Sequence, residues 1–223
     1  MYHFGIAPEK IRVILWGPIN GTSTQLTPKC QLQLRERFAV PPSKRYVLHF
    51  GMSDPRKNTA RLIEAWSQLP DEIRRDVSLV IVGVARSARD KFTQQVQKHN
   101  LEGSVGIHGY VSDDDVAALL AGAAVMAYPT QFEGFGLPIL DAFAAEVPVL
   151  TGNQTSLPEV AGDAAVLVDP TNTSSITDGL QYLLTNTEFC HQLIQSGRDR
   201  LKRFDWHITA ERVAAIFEEI ARR

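Results

Sequence analysis

The sequence predicts an α/β fold: a doubly wound, Rossmann-like parallel sheet followed by C-terminal helices. Short β-branched runs recur along the chain, and most are continuously apolar, which is typical of strands covered on both faces. Segments with helical periodicity lie between these runs, and this alternation favours right-handed crossovers in a parallel sheet. The predicted strands are 11–16, 45–50, 77–82, 105–108, 125–129, 147–151 and 165–168.

Apolar spacing identifies the helices. Leu62, Ile63, Trp66 and Leu69 follow the i, i+1, i+4, i+7 pattern of a helix that packs one face against a sheet. The pattern recurs in 116–123 and in 140–144. From residue 174 onward the chain predicts successive helices at 176–184, 188–203 and 208–222.

Composition divides the chain into three predicted parts. Residues 17–44 have the composition of a linker, with Gly17-Pro18, Gly21, Pro28 and Pro41-Pro42. The strand predicted at 11–16 precedes this linker and belongs to no helix–strand pair. The predicted parts are therefore 1–44, a lone strand plus linker; 45–204, the sheet domain; and 205–223, the final helix.

Charge and composition exclude several function classes. The 223 residues can bury a full core, and a net charge of -2 gives no bulk attraction for nucleic acid or an anionic membrane. No apolar run approaches the roughly 20 residues needed to cross a bilayer, and residues 1–15 lack the pattern of a signal peptide. Cys30 and Cys190 are far apart in sequence and lack metal-ligand spacing. Two such cysteines favour a location in the reducing cytoplasm.

Candidate ligand-binding residues follow the strands, because open parallel sheets bind ligands at the carboxyl ends of their strands. In the loop 51–58, Arg56 and Lys57 stand at the start of the next helix, where cations oppose the helix dipole unless an anion is present. The pair indicates either a phosphate site or a solvated loop end.

The loop 109–115 carries three consecutive aspartates, Asp113 to Asp115. Their spacing is compatible with a divalent cation. It equally fits a helix N-terminus with Ser112 as N-cap and Asp115 at the third helical position. We favour the cap.

The loop 130–138 is the most informative segment. Gly134 and Gly136 let backbone amides approach a ligand closely, and Pro138 fits the first turn of the helix that follows. Glu133 and Asp141 flank those amides and could accept from sugar hydroxyls. The residues alone indicate an anion or polyol site at a helix N-terminus.

The loop 152–160 offers small polar residues that could contact a sugar or phosphate. It is equally compatible with an ordinary connection that ends in a helix with Ser156 as N-cap and Glu159 at its third position.

Taken in order, these loops resemble retaining glycosyltransferases of the GT-B fold, family 4 (group 1), along nearly the whole chain. The resemblance implies that this chain is one half of a GT-B fold, the donor-binding half. The matching segments are 51–58, Val80-Ile81-Val82-Gly83, Gly109-Tyr110-Val111, Tyr128-Pro129, Glu133-Gly134-Phe135-Gly136-Leu137-Pro138, Ser156-Leu157-Pro158-Glu159 and Val168-Asp169-Pro170.

The resemblance implies roles for individual residues. Lys57, with Arg56 beside it, would hold the diphosphate of a nucleotide-sugar donor, and Glu133 would contact the transferred sugar. Asp141 would hold the ribose, and no metal or other cofactor would be needed. The remaining donor-site residues would be Gly51, Gly83, Tyr110 and Val111, which line the nucleotide, and Gly134, Phe135, Gly136 and Leu137, which offer amides to the phosphates.

Three departures from the family pattern stand out. Asp141 replaces the usual glutamate, and Met52 occupies a position where many relatives carry arginine. The resemblance also implies that the acceptor-binding N-terminal domain is missing, with residues 1–16 expected to be the end of that domain and 17–44 the connection to it. Any membrane contact would come through that missing domain. His49, His99, His108, His191 and His207 are not candidates for its catalytic histidine.

Three hypotheses follow. The first is the donor-binding domain of a hexosyltransferase that uses a UDP- or GDP-hexose and needs the acceptor domain, as a separate chain or a missing part, for activity. The second is a non-catalytic sugar-nucleotide-binding or regulatory subunit of a partner transferase. The third is another GT-B reaction, such as epimerisation or phosphorolysis, which the loop set disfavours. An exposed apolar face that includes Trp206 and Phe217 is expected where the missing domain packs.

Overall fold

A computed structural model of the chain describes residues 5–19 and 27–222. Its strands form a six-stranded sheet with every neighbouring pair parallel, in the order β3-β2-β1-β4-β5-β6. The strands are β1 (Arg45–Phe50), β2 (Val77–Val82), β3 (Val105–Ile107), β4 (Val125–Tyr128), β5 (Val149–Gly152) and β6 (Ala165–Val168). This is the predicted doubly wound α/β sheet.

The helices flank the sheet and continue beyond it. They are α1 (Pro28–Arg37), α2 (Thr59–Ser67), α3 (Asp71–Asp76), α4 (Arg86–Lys98), α5 (Asp113–Gly122), α6 (Leu137–Ala144), α7 (Leu157–Ala161), α8 (Thr173–Thr185), α9 (Thr187–Leu201) and α10 (Trp206–Ala221). None in the described part of the chain is long and apolar enough to cross a bilayer.

The core lies on both faces of the sheet, which explains why the strands are continuously apolar. In β1, Val47 packs with Trp66 of α2 on one face, whereas Leu48 packs with Phe143 of α6 on the other. All four side chains are at most 3% exposed. Burying each such side chain stabilises the fold by about 1.5–3 kcal/mol.

One prediction for the N-terminal part is wrong, and the segment predicted as a linker contains a helix. Residues 11–16 form no strand and do not join the described sheet; instead Leu15 O accepts from Thr209 Oγ1 of α10 at 2.6 Å, so this segment packs along the final helix. The predicted linker contains α1, which Thr27 caps by accepting from Cys30 N. Pro28, read as a linker residue, stands in the first turn of α1, where its missing N–H costs nothing. Gly21 and residues 1–4 lie outside the described residues.

Prolines shift two strand boundaries. The strand predicted at 147–151 begins at Val149, after Pro148, and the one predicted at 125–129 ends at Tyr128, before Pro129. Proline lacks the N–H that a central strand must donate.

His49 is a structural histidine of β1. Its ring is fully buried, Nδ1 donates to Ala127 O at 2.8 Å, and Nε2 lies 3.0 Å from Thr59 Oγ1. Burial lowers the pKa of His49 to about 4. The imidazole is therefore neutral at physiological pH and ties β1 to β4 and α2.

The final helix, α10, leaves an apolar surface exposed. Phe217 and Ile220 are 68% and 61% exposed. Trp206 is half-exposed; its ring stacks on Trp16, and its Nε1 donates to Pro18 O. The expected exposed face that includes Trp206 and Phe217 is present.

Candidate functional site

The loops that carry the candidate residues meet at the carboxyl edge of the sheet, where the strand order reverses. The chain runs from β1 outward to β3 on one side and from β4 outward to β6 on the other, so the crevice opens between β1 and β4. Such reversal points are the usual ligand sites of doubly wound sheets. Lys57 follows β1 and Glu133 follows β4.

Three side chains meet in this crevice and form the Lys57 cluster: Lys57, Tyr128 and Glu133. Lys57 Nζ donates to Glu133 Oε1 at 2.8 Å and to Tyr128 Oη at 2.7 Å, and Tyr128 Oη donates to Glu133 Oε1 at 2.7 Å. The Lys57 and Glu133 side chains are only 15% and 16% exposed. Water therefore screens this ion pair less than it screens a surface pair.

The backbone around Lys57 is fixed by Asn58. Pro55–Lys57 form one 3₁₀ turn, and Asn58 follows in the left-handed region at φ 64°. The Asn58 side chain is buried, and its Nδ2 donates to Pro129 O at 2.9 Å and to Pro170 O at 2.7 Å. This one amide joins the loops after β1, β4 and β6, so it sets the position of Lys57 relative to the crevice.

Arg56 directs its side-chain hydrogen bonds to Asp54 and not to the Lys57 cluster, although Arg56 and Lys57 are adjacent in sequence. Its guanidinium pairs with Asp54 at 2.6 Å, is 59% exposed, and lies over the Phe132 ring. The hydrogen bonds that Arg56 donates to the Asp54 carboxylate raise the pKa of Arg56. Lys57 thus pairs with Glu133 and Arg56 with Asp54. The expectation that both cations hold the diphosphate together stays a prediction.

The loop from Glu133 to Gly136 is held by the start of α7. Glu133 N donates to Thr155 Oγ1 at 3.2 Å, and Ser156 Oγ lies 3.0 Å from Glu133 O and 2.8 Å from Phe135 O, close enough to donate to either. Ser156 stands at the N-cap position of α7, as the sequence suggested, but its hydroxyl is directed to these carbonyls and makes no cap hydrogen bond.

The two glycines of this loop differ. Gly136 is the N-cap of α6 at φ 112°, a conformation that favours glycine, whereas Gly134 has no heavy atom within 4 Å of the position a Cβ would take. In the described part of the chain, the amides of Gly134, Phe135 and Gly136 donate to no protein acceptor. The Phe135 ring packs against Trp16 and Phe204, so only its backbone can serve a ligand here.

Leu137 and Asp141 lie on α6, behind this loop. Leu137 is the first helical residue and packs on the core. Asp141 is 6% exposed, and its Oδ1 accepts from Ile19 N at 2.8 Å. The acid expected at the ribose therefore also holds the N-terminal segment.

The remaining candidates follow β1, β2 and β3 at the carboxyl edge of the sheet. At Gly51 a Cβ would come within 2.5 Å of Ile81 Cγ2, and Gly83 takes φ +80°. Tyr110 is 86% exposed, but Val111 is buried in the core. Val111 can therefore line a nucleotide only through its backbone.

The three aspartates lie at the start of α5, and the predicted cap is confirmed. Ser112 Oγ accepts from Asp115 N at 3.3 Å, and Asp115 pairs with Arg37 at 2.7 Å. Among the described residues no group of three His, Cys, Asp or Glu side chains could hold a metal ion.

The sequence analysis did not assign a role to Tyr128, Asn58 or Thr155. Tyr128 lies within the predicted strand 125–129, and its hydroxyl contacts depend on loops that follow β1 and β4. An asparagine just before a predicted helix is a signal that could have identified Asn58.

Comparisons with known proteins identify the family of the chain. The family model described as "Glycosyl transferases group 1" matches residues 31–200. The chain is 37% identical over 161 residues to O-antigen chain mannosyltransferase B of Escherichia coli, covering 72% of this chain and 42% of that protein. It is 25% identical over 219 residues to the lipopolysaccharide glucosyltransferase WaaG of Escherichia coli, covering 96% of this chain and 57% of that protein.

The fold is shared with a structure of Anabaena HepE in complex with UDP and glucose. The TM-score is 0.83 at 22% identity, over 96% of this chain and 59% of that one. The chain thus spans about half the length of the relatives described here.

Proposed function

The chain belongs to the group 1 family of glycosyl transferases, and we propose on that premise that it is the donor-binding half of a retaining hexosyltransferase that uses a UDP- or GDP-hexose. The observation that carries the proposal is the Lys57 cluster beside the amides of Gly134 to Gly136. A largely shielded cation, a carboxylate and amides that have no protein acceptor among the described residues lie together there. These are the groups that a sugar diphosphate needs.

The diphosphate would bind between Lys57 and the start of α6. Lys57 Nζ supplies a cation shielded from solvent, and the amides of Gly134, Phe135 and Gly136 supply donors at the positive end of the helix dipole. The open space at Gly134 leaves room for the phosphates to approach the backbone. The same groups would stabilise charge on the leaving diphosphate during transfer.

The sugar and the nucleoside would lie on either side of the diphosphate. Glu133 Oε1 is occupied by Lys57 and Tyr128, so Oε2 would accept from a sugar hydroxyl. Tyr110, the Val111 backbone and the glycines Gly51 and Gly83 would line the base. Asp141 would hold the ribose hydroxyls while sharing its carboxylate with Ile19 N.

Catalysis would require a second domain. We assign residues 45–204 to donor binding, 1–44 to the end of an acceptor domain and its linker, and 205–223 to a helix that crosses back onto that domain. The exposed face of α10 supports this assignment, with Phe217 at 68% exposure. The acceptor would be a glycan or another hydroxyl compound, bound by the second domain.

No metal is part of the proposal, since Lys57 and the amides already supply positive charge to the diphosphate. The proposed location is the cytoplasm, where a reducing environment keeps the free thiols of Cys30 and Cys190 reduced.

A second candidate function, a non-catalytic sugar-nucleotide-binding subunit, is favoured by one observation. Asp141 is one methylene shorter than the family's glutamate and is engaged by Ile19 N, which would weaken the ribose contact. Transfer of sugar by this chain, assayed with and without an added acceptor domain, separates the two, because any turnover by this chain excludes the non-catalytic function.

Calorimetric titration of the chain with UDP, GDP and ADP tests donor binding. We expect at least one of them to bind with a dissociation constant below about 1 mM, since charged hydrogen bonds and amides converge on the diphosphate. Absence of binding by all three at millimolar ligand would overturn the proposal.

A further inference from the structure

We propose that Tyr128 is a positioning residue of the donor site, whose hydroxyl keeps the Glu133 carboxylate oriented toward the sugar when Lys57 turns to the diphosphate. This inference rests on the proposed function. It assigns a role to a side chain for which the matching segment Tyr128-Pro129 implied none.

The chemistry of the three groups fixes the direction of each hydrogen bond. An ammonium can only donate and a carboxylate can only accept, whereas a hydroxyl does both. Tyr128 Oη therefore accepts from Lys57 Nζ at 2.7 Å and donates its single proton to Glu133 Oε1 at 2.7 Å. Lys57 Nζ also lies 5.0 Å from the centroid of the Tyr128 ring, within range of a cation–π contact.

Tyr128 is the fixed member of the cluster. It is the last residue of β4 and 1% exposed, and its carbonyl accepts from Thr151 Oγ1 at 3.0 Å and from Thr130 N at 2.8 Å. Glu133 stands in a loop, and Lys57 is a long side chain with rotamer freedom. The hydroxyl is thus a rigid reference point for both charged groups.

The proton on Tyr128 is retained over the working pH range. Burial raises the pKa of Tyr128, and the nearby Glu133 carboxylate raises it further. The hydroxyl therefore remains a donor to Glu133.

This arrangement allows Lys57 to bind the diphosphate while Glu133 stays oriented toward the sugar. A diphosphate competes with Glu133 for the Lys57 ammonium, so binding would draw Lys57 away from Oε1. Tyr128 would still donate to Oε1 and hold the carboxylate in place. Oε2, which has no hydrogen-bond partner in the described part of the chain, would remain directed to the sugar. Without the Tyr128 hydroxyl, Lys57 would be the remaining hydrogen-bond donor to Glu133 Oε1 in the cluster, and the carboxylate could move with Lys57 toward the diphosphate.

The test compares Tyr128→Phe with Tyr46→Phe, a matched control in the same sheet. Tyr46 is also 1% exposed and donates its hydroxyl proton to a backbone carbonyl, Leu119 O, away from the crevice. Each variant is titrated with UDP and UDP-glucose and with GDP and GDP-mannose. The readout is the ratio of the dissociation constants of the nucleotide and of its sugar derivative.

We expect Tyr128→Phe to shift this ratio against the sugar nucleotide by more than about threefold, because the Glu133 carboxylate loses the hydroxyl that orients it, with less change for the nucleotide alone. Tyr46→Phe should leave the ratio at the wild-type value. Glu133→Asp, which withdraws the carboxylate from Tyr128 by one methylene, should repeat the shift and provides the test if Tyr128→Phe proves unstable.

Three results would overturn the inference. One is a wild-type ratio in both Tyr128→Phe and Glu133→Asp. Another is an equal loss of affinity for nucleotide and sugar nucleotide, which indicates a structural role only. The third is failure of the wild-type chain to bind any of the four ligands, which removes the proposed function as well. In the first two cases donor binding itself stands.

Discussion

Replacing Lys57 by methionine is expected to weaken nucleoside diphosphate binding by about ten- to a hundredfold, because hydrogen bonds to charged groups contribute about 1.5–3 kcal/mol each. Methionine keeps much of the apolar stem and removes the ammonium. Lys57 Nζ is the cation that faces the Glu133 carboxylate in the crevice, and its side chain is shielded from solvent. Titration with the diphosphate that binds the wild-type chain measures the change.

Two further variants make this result specific. Lys91→Met removes an exposed lysine of α4 and should leave the affinity unchanged. Arg56→Met should reduce the affinity for the diphosphate less than Lys57→Met does, because the Arg56 guanidinium is paired with Asp54 and is largely exposed. An equal loss in Arg56→Met and Lys57→Met, or no loss in Lys57→Met, contradicts the assignment of Lys57 as the cation of the diphosphate site.

Gly136→Ala is expected to lower the free energy of unfolding by about 1–3 kcal/mol, the range for non-glycine residues held in unfavourable backbone regions. Gly136 takes φ +112°, and an added Cβ would lie 3.2 Å from Leu157 Cδ2 and 3.4 Å from Ile139 Cδ1. Relief of this strain would displace the start of α6, so diphosphate affinity should fall as well. Chemical denaturation and titration measure the two effects.

Gly134→Ala is the matched control. Gly134 does not have a positive φ, and its Cβ position is open, so the free energy of unfolding should change by less than about 0.5–1 kcal/mol. Comparable destabilisation by the two substitutions would show that the backbone conformation at Gly136 is not what holds the loop.

The parallel sheet could be predicted because its strands are buried on both faces and therefore continuously apolar. The same rule misassigned residues 11–16, whose β-branched residues have no strand beside them. It also gave no signal for α4, a mostly polar helix that buries only Phe92 and Val96. The apolar pattern indicates which residues are buried, but it does not indicate which elements they pack against.

The site was predictable as a set of loops and not as a set of contacts. The glycine-rich segment marked the start of α6 correctly. However, the sequence could not separate Arg56 from Lys57, because the 3₁₀ turn and the left-handed Asn58 set their directions. It also could not show that Asp141 contacts Ile19, a residue 122 positions away. Both facts depend on long-range packing.

The central claim is that Lys57 and the amides of Gly134 to Gly136 form one diphosphate site, and a crystal structure with the bound nucleoside diphosphate tests it most directly. We expect phosphate oxygens within about 3 Å of Lys57 Nζ and of at least one of these amides. A diphosphate bound elsewhere, for example in the 260 Å³ cleft that Lys44, Arg74 and Arg75 line at the opposite edge of the sheet, would contradict the claim.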